Sequence, residues 1–162
     1  MVLVVLAVLT TLAITRANDS RPPVEPSILD VPFEYFDGTA GNLADFAGVP
    51  VVINFWASWC PACVAELPDF EQVHGRFGDR LIFLGINMQE IDPESADVLI
   101  QESGVTYLLG HDRDGSIFAG FGGFAMPTTV LIDEFGNVAL THSGAIFADD
   151  LEALISEELL SS

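Results

Sequence analysis

The feature that most limits what this chain can become is a junction between two kinds of pattern. Val51-Val52-Ile53-Asn54-Phe55-Trp56 is a short β-branched and aromatic run, the composition of a buried central strand. It leads directly into Ala57-Ser58-Trp59-Cys60-Pro61-Ala62-Cys63, and from Cys60 to about Phe77 the pattern turns helical, stopping at Gly78. A CxxC pair at such a junction has a chemical consequence. The unpaired N–H groups of a helix N-terminus point at Cys60, and their partial positive charge stabilises a thiolate. Pro61 suits the first helical turn, because it has no N–H to satisfy and its φ is already helical. Cys63 lies one turn deeper, within reach of a mixed disulfide formed at Cys60. The nucleophile is therefore read as Cys60 and the resolving thiol as Cys63.

Other uses of two cysteines fit less well. The pair is too small for a disulfide scaffold and supplies only half of a four-ligand zinc site. His74 follows Cys63 on the same helix at a distance of about 16 Å along its axis, and cannot join the pair. His111 and His142 are isolated, and solvated or packed roles suit them better than metal ligation. Composition narrows the function further. With 24 acidic residues against 5 basic ones, all arginine, the net charge is −19. Such a surface repels phosphate backbones and excludes nucleic acid as a natural partner. Half of the residues are hydrophobic, which excludes disorder as the main state.

The rest of the chain reads as one domain over residues 31–162. Phe33 to Phe36 suggests an edge strand, followed by a turn at Asp37-Gly38. Leu81 to Ile86 is a second buried strand, and Asp92-Pro93 starts a helix that Ser103-Gly104 ends. Thr129 to Ile132 and Val138 to Thr141 flank a turn with Gly136, the pattern of a hairpin. A last helix runs from about Ala148 to Leu160, with Asp149 and Asp150 in its first turn. Strands alternating with helices and closing on a hairpin predict an α/β domain around a mixed central sheet.

Residues 1–17 begin with an apolar run, Met1 to Ile14, too short at about 21 Å for the ~30 Å hydrocarbon core. A signal peptide or signal anchor fits that length better. No basic residue precedes the run, while Arg16 and Arg21 follow it, and the expectation is that a basic leader lies upstream of Met1. Residues 18–30, with three prolines, read as a linker. Export from the cytoplasm is the expected fate.

The stretch VVINFWASWCPACVAELP, Val51 to Pro68, resembles the thioredoxin superfamily, and within it the TlpA/ResA/CcmG-like branch of extracytoplasmic thiol–disulfide oxidoreductases. The likeness continues through Gly123-Phe124-Ala125-Met126-Pro127-Thr128-Thr129 and covers about Val31 to the C-terminus. It implies a thioredoxin-like fold with helices flanking the sheet and an insertion between the CxxC helix and the strand after Pro127. It implies that Pro127 is a cis-proline beside the dithiol, leaving the backbone of Met126 to pair with an extended substrate chain. Trp59 is expected beside Cys60, shielding the thiolate, Trp56 in the core, and Pro68 in a purely structural role. Plain thioredoxins carry an aspartate where this chain has Asn54. Glu66 matches the branch's characteristic glutamate; three residues after Cys63, it shares a helix face with the resolving sulfur and is the candidate acceptor of its proton.

The resemblance implies a reductase of client-protein disulfides outside the cytoplasm, periplasmic or in the cell envelope, either secreted or anchored by the apolar segment. It needs no cofactor beyond the Cys60–Cys63 disulfide and no metal. Apocytochrome c is the client class implied, with a membrane electron carrier to recharge the dithiol and a monomer as the working unit. Two alternatives stand beside it: an oxidase that forms disulfides in secreted proteins, and a copper or zinc chaperone, which needs a third ligand near Cys60 and Cys63. A peroxiredoxin is disfavoured, because Ala57 stands where such sites carry Thr or Ser.

Overall fold

The computed structural model describes residues 29–161. The proposed signal segment and most of the proposed linker lie outside them. Among the described residues no helix is long and apolar enough to cross a membrane.

The strand read from Val51 is β3 (Val51–Trp56), buried along its whole length. It is followed by α1 (Pro61–Phe77), β4 (Ile82–Met88) and α2 (Pro93–Ser103). Then come β5 (Leu108–Asp112), α3 (Ser116–Gly120), β6 (Thr128–Ile132), β7 (Val138–Ser143) and α4 (Ala148–Glu158). Ahead of β3 stand β1 (Pro32–Tyr35), β2 (Ala40–Asn42) and a 3-10 turn at Leu43–Phe46. The seven strands form one mixed sheet in the order β2-β1-β5-β4-β3-β6-β7. β3, β4 and β5 run parallel, while β6 and β7 on one side and β1 and β2 on the other are antiparallel to their neighbours. This is the α/β architecture with a mixed central sheet that the sequence pattern predicts.

Strand alternation divides the core. Val51, Ile53 and Phe55 face one layer, with Phe33, Leu84, Ile86, Phe121 and Val130. Val52 faces the other layer, where Phe70 and Val73 of α1 meet Leu151 and Ile155 of α4. Asn54 and Trp56 share the parity of Val52, so β3 turns one polar side chain toward α1. Trp56 packs there with Cys60, Cys63, Leu67, Ala96 and Leu99.

One sequence expectation is corrected. The strand near Phe33 is not at the edge: β1 pairs with β5 on one side and with β2, the true edge strand, on the other. β5 itself carries a weak strand signal because Gly110, His111 and Asp112 fill its second half. Gly110 is demanded by packing, since a Cβ there would lie 2.7 Å from the Phe33 ring. The insertion helix behaves as its end signals predict. Asp92 Oδ1 accepts the N–H of Glu94 at 3.2 Å, Pro93 opens α2, and Gly104 closes it at φ +71°. Packing of the domain also includes Leu29, which is buried against the turn at Gly136.

Phe55 is fully buried and makes edge-to-face contact with Phe118 at 5.3 Å between centroids. Phe55→Ala is expected to cost about 3–5 kcal/mol of unfolding free energy, read from denaturant midpoints, because neighbouring strands cannot collapse into the void.

Candidate active site

The sheet places the CxxC pair at the C-terminal end of β3, where the chain turns into α1. Cys60 is the N-cap of this 17-residue helix in extended backbone, with Pro61 at the first helical position. Cys60 and Cys63 form a disulfide with Cα atoms 5.3 Å apart, and the N–H of Cys63 donates to Cys60 Sγ at 3.2 Å. When the pair is reduced, that donor and the helix N-terminus both favour negative charge on Cys60. Cys60 is 5% exposed and Cys63 fully buried, so an incoming group meets Cys60 first. Access and the charge-stabilising helix N-terminus both set Cys60 apart from Cys63.

Beneath the pair lies a buried carboxyl. Glu66 follows Cys63 by three positions on the inward stripe of α1 and is fully buried. Asn54 Nδ2 donates to Glu66 Oε1 at 2.8 Å, and the backbone N–H of Ile146 donates to Glu66 Oε2 at 2.9 Å. Burial pushes the carboxyl up to about 7, against the lowering effect of these two donors and with a further push from Asp69. One turn on, Asp69 Oδ1 accepts the N–H of Ala148 at 3.0 Å and thereby caps α4, whose own N-cap, Phe147, offers no side-chain acceptor. Glu66 and Asp69 together hold the 146–148 segment against α1.

The remaining residues singled out in the sequence gather around this centre. The Met126–Pro127 peptide bond is cis, and Pro127 is buried immediately before β6, whose Thr128 pairs with Phe55 of β3. The Met126 side chain packs against the cluster that contains both cysteines. Trp59 is 43% exposed and donates from its indole Nε1 to the carbonyl of Gln89 at 3.2 Å. It leans across to the loop after β4, while Trp56 is wholly in the core. Pro68 lies inside α1. His74 and His111 are packed: His74 is edge-on to Phe83, and His111 stacks on Phe36 at 4.0 Å between centroids.

One residue of the site escaped the sequence reading. The carboxylate of Glu90, just past β4, accepts from Ser58 N–H at 3.0 Å, Ser58 Oγ at 2.7 Å, Asn87 Nδ2 at 2.9 Å and Ile91 N–H at 3.0 Å. Burial would raise its pKa, but these bonds outweigh it and hold Glu90 below the usual carboxylate range. Gln89 beside it has φ +46°, a left-handed conformation that side chains rarely adopt. Glu90 and Gln89 thus fasten Ser58 and Trp59, the two residues before the dithiol. The only trace in the sequence is Asn87-x-x-Glu90 directly after a buried strand, and no local rule assigns it a partner 32 residues upstream.

The model of the Redoxin family matches residues 18–155. The chain belongs to the Redoxin family. It is similar to the thiol-disulfide oxidoreductase ResA of Oceanobacillus iheyensis, at 27% identity over 89% of this chain and 73% of that protein. It is also similar to the sporulation thiol-disulfide oxidoreductase A of Bacillus subtilis, at 25% identity over 88% of this chain and 86% of that protein. Among solved structures, a DsbF homologue from Corynebacterium diphtheriae superposes with a TM-score of 0.72 at 28% identity, covering 78% of this chain and 83% of that one. The fold is thioredoxin-like, and with its bonded CxxC pair the chain is a thiol–disulfide oxidoreductase.

Folded Glu66 keeps its proton to about pH 7, whereas an unperturbed glutamate releases it near 4.5. Between those values the folded state holds the extra proton, so stability falls as pH rises through that window. A shift of that size corresponds to about 3 kcal/mol. Denaturant titrations of the wild type and Glu66→Gln at about pH 5 and about pH 8 are expected to show this pH-dependent loss only in the wild type.

Proposed function

We propose that this protein is an extracytoplasmic reductase of client-protein disulfides, and that Glu66 is the base that activates its resolving thiol. The observation that carries the reading is the fully buried Glu66 carboxyl on the same helix face as Cys63, held by Asn54 and by the Ile146 N–H. A carboxyl near pH 7 is matched to accepting a thiol proton without holding it too tightly.

The cycle starts from the reduced dithiol. The Cys60 thiolate attacks one sulfur of the client disulfide; that S–S bond breaks, and the first client thiolate leaves and takes a proton from water. A mixed disulfide now joins Cys60 to the client. The Cys63 thiol passes its proton to Glu66 and attacks Cys60 Sγ; the mixed disulfide breaks and the second client thiolate leaves. Two electrons have moved from the enzyme to the client, and the Cys60–Cys63 disulfide is closed. No cofactor enters, because the two sulfurs carry both electrons.

Trp59, Pro61, Met126 and Pro127 are assigned to client binding. Trp59 and Pro61 are exposed beside Cys60, and neither the N–H nor the C=O of Met126 is hydrogen-bonded within the described residues, which suits pairing with an extended client strand. Apocytochrome c is the client class we propose, and a membrane electron carrier the source of recharging electrons. The apolar run in residues 1–17 supports export or anchoring at the envelope.

Equilibration of Cys60–Cys63 with a thiol buffer tests the direction of flow. A reductase requires a potential near or below about −270 mV, and a value near about −120 mV would identify a disulfide-forming oxidase instead.

A further inference from the structure

The insertion helix α2 turns a mixed stripe toward the CxxC helix. Glu94, Val98 and Glu102 recur at four-residue spacing, which stacks them along one face of the helix. With Asp92, Ser95 and Leu99 they line a groove of about 420 Å³, whose opposite wall is Val64 of α1 and whose lining reaches Ser58 in the CxxC loop. Val64 is the first residue after the CxxC motif, and its N–H bonds the carbonyl of Cys60 at 3.1 Å. The groove is therefore continuous with the attacking cysteine's own backbone.

Its chemistry is of two kinds. Val64 and Val98 are exposed aliphatic side chains over the buried Leu99, an apolar floor open to solvent. Asp92, Glu94 and Glu102 are exposed around it. Asp92 is engaged in capping α2, but the carboxylates of Glu94 and Glu102 have no hydrogen-bond or ion-pair partner among the described residues. The described arginines are committed elsewhere: Arg76 to Glu152, Arg113 to Glu34, and Arg80 over the Phe77 ring. None of them lines the groove. A concave apolar surface with uncompensated negative charge at both ends is complementary to a segment of the opposite design.

Resting on the proposed reductase function, we infer that this groove docks the client segment that flanks the reactive cysteine, and that it selects a basic-x-aliphatic-x-basic pattern. The spacing follows from the helix. Glu94 and Glu102 are about 12 Å apart along α2 at 1.5 Å per residue. An extended chain covers that distance in four residues at about 3.3 Å each, and its alternate side chains share one face. Basic residues at the first and fifth positions meet Glu94 and Glu102, and the aliphatic residue at the third sits on Val64, Val98 and Leu99.

The test uses the full reduced chain and three peptides that carry the same disulfide, flanked by Lys-x-Leu-x-Lys, Glu-x-Leu-x-Glu or Lys-x-Ser-x-Lys. Reduction of the first is expected to exceed that of the second by about tenfold in kcat/KM, less at high salt. Glu94→Gln with Glu102→Gln should remove most of that preference, and Val98→Ser should remove the preference for Leu over Ser. Glu157→Gln with Glu158→Gln, the same charge change on α4 outside the groove, should leave both intact. An equal loss in the α4 variant would show that net charge alone selects the peptide, and would overturn the docking assignment. So would retention of the preference in the α2 variant. Dimerisation in sedimentation that Val98→Ser abolishes would assign the groove to a second copy of the chain and overturn it as well. Failure to reduce any of the three peptides would defeat the reductase reading itself, and the docking assignment with it.

Discussion

The proposed resolving step depends on one carboxyl kept out of water. Glu66 is carried into the interior by the inward stripe of α1 and finds two donors there, one from β3 and one from the backbone ahead of α4. Fewer donors would make such a burial too costly, and a lysine or arginine beside it would hold the carboxylate ionised at all relevant pH. With two neutral donors the group is stable in the core yet able to exchange a proton near neutrality. In the proposed cycle that balance serves Cys63, which is fully buried on the same helix face.

The architecture around the carboxyl explains why distant segments must be in place for the site to exist. Asn54 reaches Glu66 because β3 is flanked by β4 and β6 and cannot shift its register. Ile146 reaches it because Asp69, one turn along α1, fixes the start of α4. On the outer side, Glu90 and Gln89 hold Ser58 and Trp59, so the loop that presents Cys60 is tied to the loop entering the insertion helix. The dithiol is thus supported from beneath by α1 and α4, and from the flank by the β4–α2 connection. The insertion is consequently part of the active-site surface as well as an addition to the sheet.

Much of this was legible in the residues, and the reasons for the rest are physical. The parity of Val51 to Trp56 shows that Asn54 and Trp56 share a face, and the Cys63-x-x-Glu66 spacing puts both side chains on one stripe of a helix. Neither pattern reveals that the two faces meet. The Ile146 donor lies 80 residues away along the chain and is a backbone group, so no residue type announces it. β5 was obscured because packing against Phe33 demands Gly110, a residue that weakens any strand signal. No residue type marks Glu90, since its role is created by tertiary contact with Ser58.

The most direct measurement is the rate at which Cys63 resolves a mixed disulfide formed at Cys60, followed by stopped-flow over a range of pH in the wild type and in Glu66→Gln. If Glu66 accepts the proton, the wild-type rate rises with an apparent pKa of about 7, and the glutamine variant is slower by about a hundredfold without that inflection. Superimposable pH profiles for the two proteins would contradict the account and leave Glu66 as a buried structural group.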